Sequence, residues 1–156
     1  MPVTSVVCNS SPLIGLQQIG QLSLLNALFG TIAVPPAVTQ EVAPSVMLPE
    51  WVEQKNLVQS IGPLIMKASL GPGESEAISL ALESNARLII LDDRPARRLA
   101  QSLSLPVVGT LGVLLIARKK NLIPAIKSCL DELLRFDFRI APALYEQVLE
   151  DAGEIS

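Results

Sequence analysis

What most constrains this chain is a set of short apolar runs, each cut off by a polar or proline break and followed by a helix-like pattern. Residues 3–8 form the first run, and Asn9-Ser10-Ser11-Pro12 stop it. Residues 31–34 form the second, ended by Pro35-Pro36. Residues 87–91 make a third, closed by Asp92-Asp93, and residues 106–108 a last, shorter one. Runs of this length rich in branched aliphatics read as buried strands. Strands that alternate with helices predict an α/β protein in three layers, with a mainly parallel sheet covered by helices on both faces.

The intervening segments supply the helices. Ser11 can cap a helix with Pro12 at its first position, continued by Leu13, Leu16 and Ile19. A second helix carries Leu22, Leu25, Ala27, Leu28 and Phe29 and closes at Gly30. Val38, Glu41 and Val42 mark a short one. The helix at 73–85 has Ile78, Ala81 and Leu82 on one face and Glu76, Ser79 and Glu83 on another. Further helices are expected at 95–102, 111–120, 124–136 and 142–152. Residues 43–69 are the least legible; loops, a short strand at 57–61 and a helical piece after Pro63 are expected. A length of 156 residues fits one domain, 1–156, and no repeat is visible.

Several classes of chemistry are excluded. The chain has no His, which removes Ser-His-Asp triads and nearly all zinc hydrolase sites. Gly71-Pro72-Gly73-Glu74 lacks the Gly-Lys-Ser/Thr ending of a phosphate-binding loop. Aromatics make up 3%, too few for a base-stacking sheet. Carboxylates with a hard metal remain as the expected enzyme chemistry. Net charge −3 and a pI near 4.9 argue against broad duplex-DNA binding. Charged residues are only 17% and mean hydropathy is +0.45, which predicts apolar surface for a partner, either a second copy or a short amphipathic segment. The apolar helices of residues 13–29 are the expected face for a homodimer or for such a segment. The longest apolar stretch, residues 105–117, is broken by Pro106, Gly109, Thr110 and Gly112 and falls short of a membrane span. The N-terminus has no basic region of a secretory signal, and Cys8 and Cys129 read as buried reduced thiols; a cytoplasmic location is expected.

In a parallel sheet the C-terminal ends of the strands share one rim, where ligands bind. Asn9, Asp92 and Asp93 end strands, and Glu74 opens a helix, so all of them fall on that rim. Glu41 borders an apolar stripe and can reach over it. Each has a plainer reading. Glu74 can complement a helix dipole, but its spacing with Ile78 and Ala81 puts it on the core-facing side. Glu41 alone is a surface helix acid, and Asn9 alone a turn residue. Asp92-Asp93 can form a turn and cap ahead of Pro95, though two acids exceed what a cap needs. Glu76 reads as a solvated surface acid. Arg94, Arg97 and Arg98 follow the acidic turn, and Arg94 and Arg97 can contact phosphates there. Arg118-Lys119-Lys120 read as complement to a helix C-terminus.

The ordered set Val6-Val7-Cys8-Asn9-Ser10-Ser11-Pro12-Leu13-Ile14, Val34-Pro35-Pro36-Ala37-Val38-Thr39-Gln40-Glu41-Val42, Gly73-Glu74-Ser75-Glu76-Ala77-Ile78 and Leu91-Asp92-Asp93-Arg94 resembles PIN-domain proteins across nearly the whole chain. Residues 107–115 are similar to a prokaryotic subgroup related to VapC-type toxins. The resemblance implies a Mg²⁺- or Mn²⁺-dependent endoribonuclease acting on single-stranded RNA, often the toxin of a toxin–antitoxin pair, with a small antitoxin protein as partner. It places the catalytic set at Asn9, Glu41, Glu74 and Asp93, and the metal on Glu41, Glu74, Asp92 and Asp93. Asp92 is the alternative or auxiliary acid. Ser10 or Ser11 supplies a hydroxyl beside the substrate. The family's first acid is usually Asp; Asn9 removes one negative charge, so divalent affinity is expected to fall. The alternative is therefore a catalytically weak module that binds RNA or a protein partner. A receiver-type phosphoryl-transfer domain is disfavoured, because no Lys ends a strand and the paired acids follow a later strand.

Overall fold

The computed structural model describes residues 5–59, 62 and 69–155. Among these residues five strands, β1 (Val6–Cys8), β2 (Ile32–Val34), β3 (Val52–Gln54), β4 (Leu88–Ile90) and β5 (Val107–Val108), form one sheet in the order β3-β2-β1-β4-β5. Every pair is parallel, with Val7 beside Ala33 and Ile89, Ala33 beside Glu53, and Ile89 beside Val107. Eight helices are seen among the described residues: α1 (Ser10–Gln18), α2 (Ser23–Phe29), α3 (Pro36–Val42), α4 (Pro72–Glu83), α5 (Arg94–Ser102), α6 (Thr110–Lys119), α7 (Lys127–Arg135) and α8 (Pro142–Asp151).

Side chains alternate between two apolar layers, as the strand period of two requires. Val6, Cys8, Ile32, Val34 and Ile90 face a layer built with Leu13, Leu16, Leu25, Leu114, Leu130 and Leu133. Val7, Ala33, Ile89 and Leu91 face the other, with Ala77, Ile78 and Ala81 of α4 and Ala96 and Ala100 of α5. The central strand β1 is buried on both faces, so it reads as a continuous apolar run. The expected three-layer α/β architecture is what the chain adopts.

Four local expectations are corrected. The strand expected at 57–61 is absent over 57–59; the edge strand lies earlier, at Val52–Gln54, where only Val52 is buried. One inward residue in three is too little alternation to show in a sequence. The rest of that segment and the helix expected after Pro63 lie outside the described residues. Asn9, not Ser11, occupies the N-cap of α1. α7 begins at Lys127 instead of Pro124, because Glu154 accepts from the backbone N–H groups of Ile126 (2.6 Å) and Lys127 (3.2 Å) and fixes the start there. On α4, Ser79 is buried and Leu82 is exposed, the reverse of the expected faces.

The helices of residues 13–29 turn inward. Leu13, Leu16, Leu24 and Leu25 are core residues, so they cannot also form the expected dimer face. Arg118 is no free surface charge either: its Nε lies 3.5 Å from Glu154 Oε2 in a largely buried ion pair. Cys8 and Cys129 are free and buried, as expected. No helix of the described residues is long and apolar enough to cross a membrane.

Candidate active site

The sheet order grows in one direction from β1 to β3 and in the other from β4 to β5. The crevice of such a sheet opens at the C-terminal ends of the two strands where the direction reverses, here β1 and β4. Asn9 follows β1 and Asp92 follows β4 by two residues. A cleft of about 780 Å³ opens there, lined by residues that include Asn9, Ser10, Ser11, Glu41, Glu74, Asp92 and Asp93.

The first half of the rim centres on Asn9. It is 2% exposed, and its backbone N–H bonds to the Ile90 carbonyl at 3.0 Å, tying the end of β1 to β4. Its Nδ2 donates to Glu74 Oε1 at 3.5 Å. Its Oδ1 is buried with no hydrogen-bond partner among the described residues. Ser10 Oγ donates to Glu41 Oε1 at 2.5 Å. Gly73 is where α4 passes closest to this group. A β-carbon there would overlap Glu41 Oε1 and lie 3.1 Å from Asn9 Oδ1. The absent side chain is what lets Glu41 and Asn9 approach each other over α4.

The second half centres on Asp92. Its Oδ1 accepts from the Thr110 backbone N–H at 2.7 Å, and its Oδ2 accepts from Thr110 Oγ1 at 2.7 Å and from Ser11 Oγ at 3.3 Å. Beneath it, the wholly buried Cys8 thiol is pushed well above its ordinary pKa, first by burial and then by the charge of Asp92. Asp93 is exposed and caps α5, its Oδ2 accepting from the Ala96 N–H at 3.1 Å.

The structure therefore brings Asn9, Glu41, Glu74, Ser10, Ser11 and Asp92 into one cleft and sets Asp93 at its margin with one oxygen engaged. The hydroxyls of Ser10 and Ser11 donate to Glu41 and Asp92. Arg97 Nη1 donates to the Leu91 carbonyl at 3.1 Å and lies against Gly109 beside Asp92. Arg94 is exposed, with no partner among the described residues. Glu76, expected to be a solvated acid, instead accepts from the Ala37 N–H at 2.9 Å and caps α3. Glu83 accepts from the N–H groups of Val58 and Gln59.

Sequence reasoning missed Thr110, which is fully buried and orients Asp92. It also missed the turn between α7 and α8, where Phe136, Asp137, Phe138 and Arg139 close one side of the cleft. A signal existed: two of the three Phe residues of the chain fall in this five-residue stretch between Arg135 and Arg139.

Among the described residues, no three Cys, Asp or Glu side chains form a ready-made cation cage. Mg²⁺ does not require one, since it keeps several waters and commonly binds through one or two carboxylates plus substrate phosphates. The donor set fits such an ion. A buried amide oxygen without a partner, next to Glu41 and Glu74, is a neutral ligand in waiting.

A parallel five-stranded sheet with helices on both faces and an acidic rim at its switch point is the architecture of a PIN fold. Residues 5–154 match the family model described as PIN domain, DUF3368, and the chain belongs to this PIN-domain family. PIN domains are typically nucleases and generally use divalent metals, so membership suggests a nuclease-like function and nucleic-acid binding. Neither a curated protein nor a solved structure matches the chain.

Proposed function

We propose that this protein is a Mg²⁺- or Mn²⁺-dependent endoribonuclease that hydrolyses phosphodiesters of single-stranded RNA. The observation that carries the reading is the convergence of Glu41, Glu74 and the unpartnered Asn9 Oδ1 across the cleft from Asp92. Glu41 and Glu74 would hold the cation, with Asn9 Oδ1 as a neutral ligand and Asp92 and Asp93 as outer acids. When bound there, a divalent ion would acidify water and offset negative charge on the phosphoryl and leaving oxygens during in-line displacement. The chain's own part is positional. Ser10 and Ser11 hold Glu41 and Asp92, Thr110 fixes both oxygens of Asp92, and Asn9 steadies Glu74. Arg94 is free to meet a flanking phosphate.

The test is cleavage of an unstructured labelled RNA with and without Mn²⁺, alongside calorimetric titration of Mn²⁺. Glu41→Gln should reduce cleavage by roughly a hundredfold or more and weaken metal binding. Equal cleavage by wild type and Glu41→Gln would place the activity elsewhere.

Asn9 favours a second reading, a catalytically weak module that binds RNA or a partner, because the rim carries one charge fewer than the family pattern implies. Metal binding without cleavage, even in Asn9→Asp, would select it. A toxin role with a small antitoxin, a homodimeric state, a single-domain organisation and a cytoplasmic location belong to the same proposal. The low charge content and the exposure of Leu122 and Leu134 support a protein partner. Growth arrest on expression, relieved by a neighbouring small open reading frame, tests the toxin role.

A further inference from the structure

We propose that the RNA strand does not stop at the acidic cleft but runs over Phe138 and Arg139 into a second groove between α6 and α8, which seats the adjoining nucleotide. The inference rests on the nuclease reading for the position of the scissile phosphate.

The second groove has a volume of about 440 Å³. It shares three lining residues with the acidic cleft: Asp92, Phe138 and Arg139. The two are therefore neighbouring stations on one path, with Phe138 as the wall between them. The floor of the groove is apolar, made by Leu111 and Leu115 of α6 and Leu144 of α8, and its rim holds Arg94, Arg97 and Arg139. Arg94 and Arg139 are exposed and carry no ion pair among the described residues. In a chain of net charge −3, unpaired arginines around an apolar slot beside an acidic centre are a local exception.

An apolar slot with cationic edges matches the two faces of a nucleotide. The base packs against Phe138 and the leucines, and its phosphate meets arginine. Phe138 is half-buried against the core, which leaves the rest of its ring as a fixed platform. Glycine at position 112, where a β-carbon would overlap Val108, keeps this side of α6 close to β5. The acidic cleft alone repels an anionic chain, so the strand needs cationic contacts outside it. This groove offers them directly beside Asp92.

The experiment measures binding in chelator, so it does not depend on catalysis. Fluorescence anisotropy of a labelled single-stranded oligoribonucleotide is followed with salt for wild type, Arg139→Gln, Leu144→Glu and Phe138→Leu. Lys55→Gln, at the far edge of the sheet, controls for net charge. Arg139→Gln should weaken binding and lower the slope of log affinity against log salt by about 0.7. Leu144→Glu and Phe138→Leu should each weaken binding roughly tenfold. Circular dichroism melting of each variant separates loss of contact from loss of fold. Leu144→Glu, at a half-exposed position, keeps the test valid if Phe138→Leu unfolds. Wild-type affinity in Arg139→Gln and Leu144→Glu would overturn the groove while leaving the nuclease reading intact. Intact RNA binding through the groove with no cleavage in Mn²⁺ would do the reverse. Tighter binding of an acidic peptide than of RNA, lost in the same variants, would assign the groove to a protein partner and overturn the RNA path.

Discussion

Asn9→Asp is the sharpest perturbation of the rim, because it changes charge without changing size. The residue is 2% exposed, donates from Nδ2 to Glu74 Oε1 at 3.5 Å and holds an unpartnered Oδ1 beside Glu41. The substitution replaces that donated hydrogen bond with a carboxylate facing two others. At an effective dielectric constant near 20, two like charges about 4 Å apart repel by about 4 kcal/mol, an upper scale that solvent and proton uptake reduce. A loss of about 2–3 kcal/mol in metal-free buffer at neutral pH is the working value. For a chain of this size it corresponds to a fall in Tm of roughly 5–10 °C. Repulsion raises the new carboxyl's folded pKa above its unfolded value. The penalty is therefore absent at acid pH and grows as pH rises towards neutrality. Mn²⁺ should narrow that gap. A ligand at a hundred times its Kd adds about 2.7 kcal/mol, and the variant should bind it more tightly than wild type. The assay is thermal melting of both proteins in chelator and in Mn²⁺ across pH, with RNA cleavage measured alongside. An unchanged Tm in chelator together with the same Mn²⁺ shift as wild type would show that Asn9 does not face a shared cation site.

Other substitutions probe the rim from different sides. Asp92→Asn should lose more cleavage than Asp93→Asn, since Asn still caps α5 and Asp93 stands at the margin; the opposite ranking in an initial-rate assay would put Asp93 at the centre. Gly73→Ala should shift Tm little, because the overlapping atom ends a movable Glu41 side chain, yet lower cleavage about tenfold as Glu41 is driven off Asn9. Thr110→Val removes the hydroxyl donor to Asp92 and should cost about 1–2 kcal/mol in denaturant melts, with cleavage reduced as well. The raised pKa of the buried Cys8 keeps its stabilising contribution whole below the unfolded thiol value of 9.0. That contribution fades as pH rises, by about 1.4 kcal/mol per unit, so the stability gap between wild type and Cys8→Ala should narrow above about pH 9. A gap that does not change with pH would mean that the Cys8 thiol ionises alike in both states.

The central strands were legible because burial on both faces turns them into unbroken apolar runs, as in Val6-Val7-Cys8 and Leu88-Ile89-Ile90. β3 was not, since an edge strand with one inward residue leaves no period to detect. The strand-end position of Asn9 and Asp92 followed from topology alone. Which acid of the pair turns inward did not follow. That depends on Thr110, eighteen residues away and brought beside Asp92 by the pairing of β4 with β5. Glu76 was misread for a similar reason. It accepts from the backbone N–H of Ala37 in a distant segment, and no local pattern marks a carboxylate as the cap of another element. The Phe136–Arg139 turn lies far along the chain from the acids, and only folding places it over them.

A rim of acids with no cation still has to be held together, and the start of α1 does this. Asn9, Ser10 and Ser11 are the N-cap and first two positions of that helix, where unpaired N–H groups carry partial positive charge. Consecutive helical residues point about 100° apart. Ser10 therefore turns to Glu41 and Ser11 to Asp92, so one helix start grips an acid from each half of the cleft. Each hydroxyl donates to a carboxylate, which lessens its charge without cancelling it. The acids are thus kept apart from one another but aimed into common space, and the neutral amide of Asn9 sits between Glu41 and Glu74 where a third charge would raise the repulsion. On this account the Asn at position 9 trades divalent affinity for a metal-free fold that is less strained.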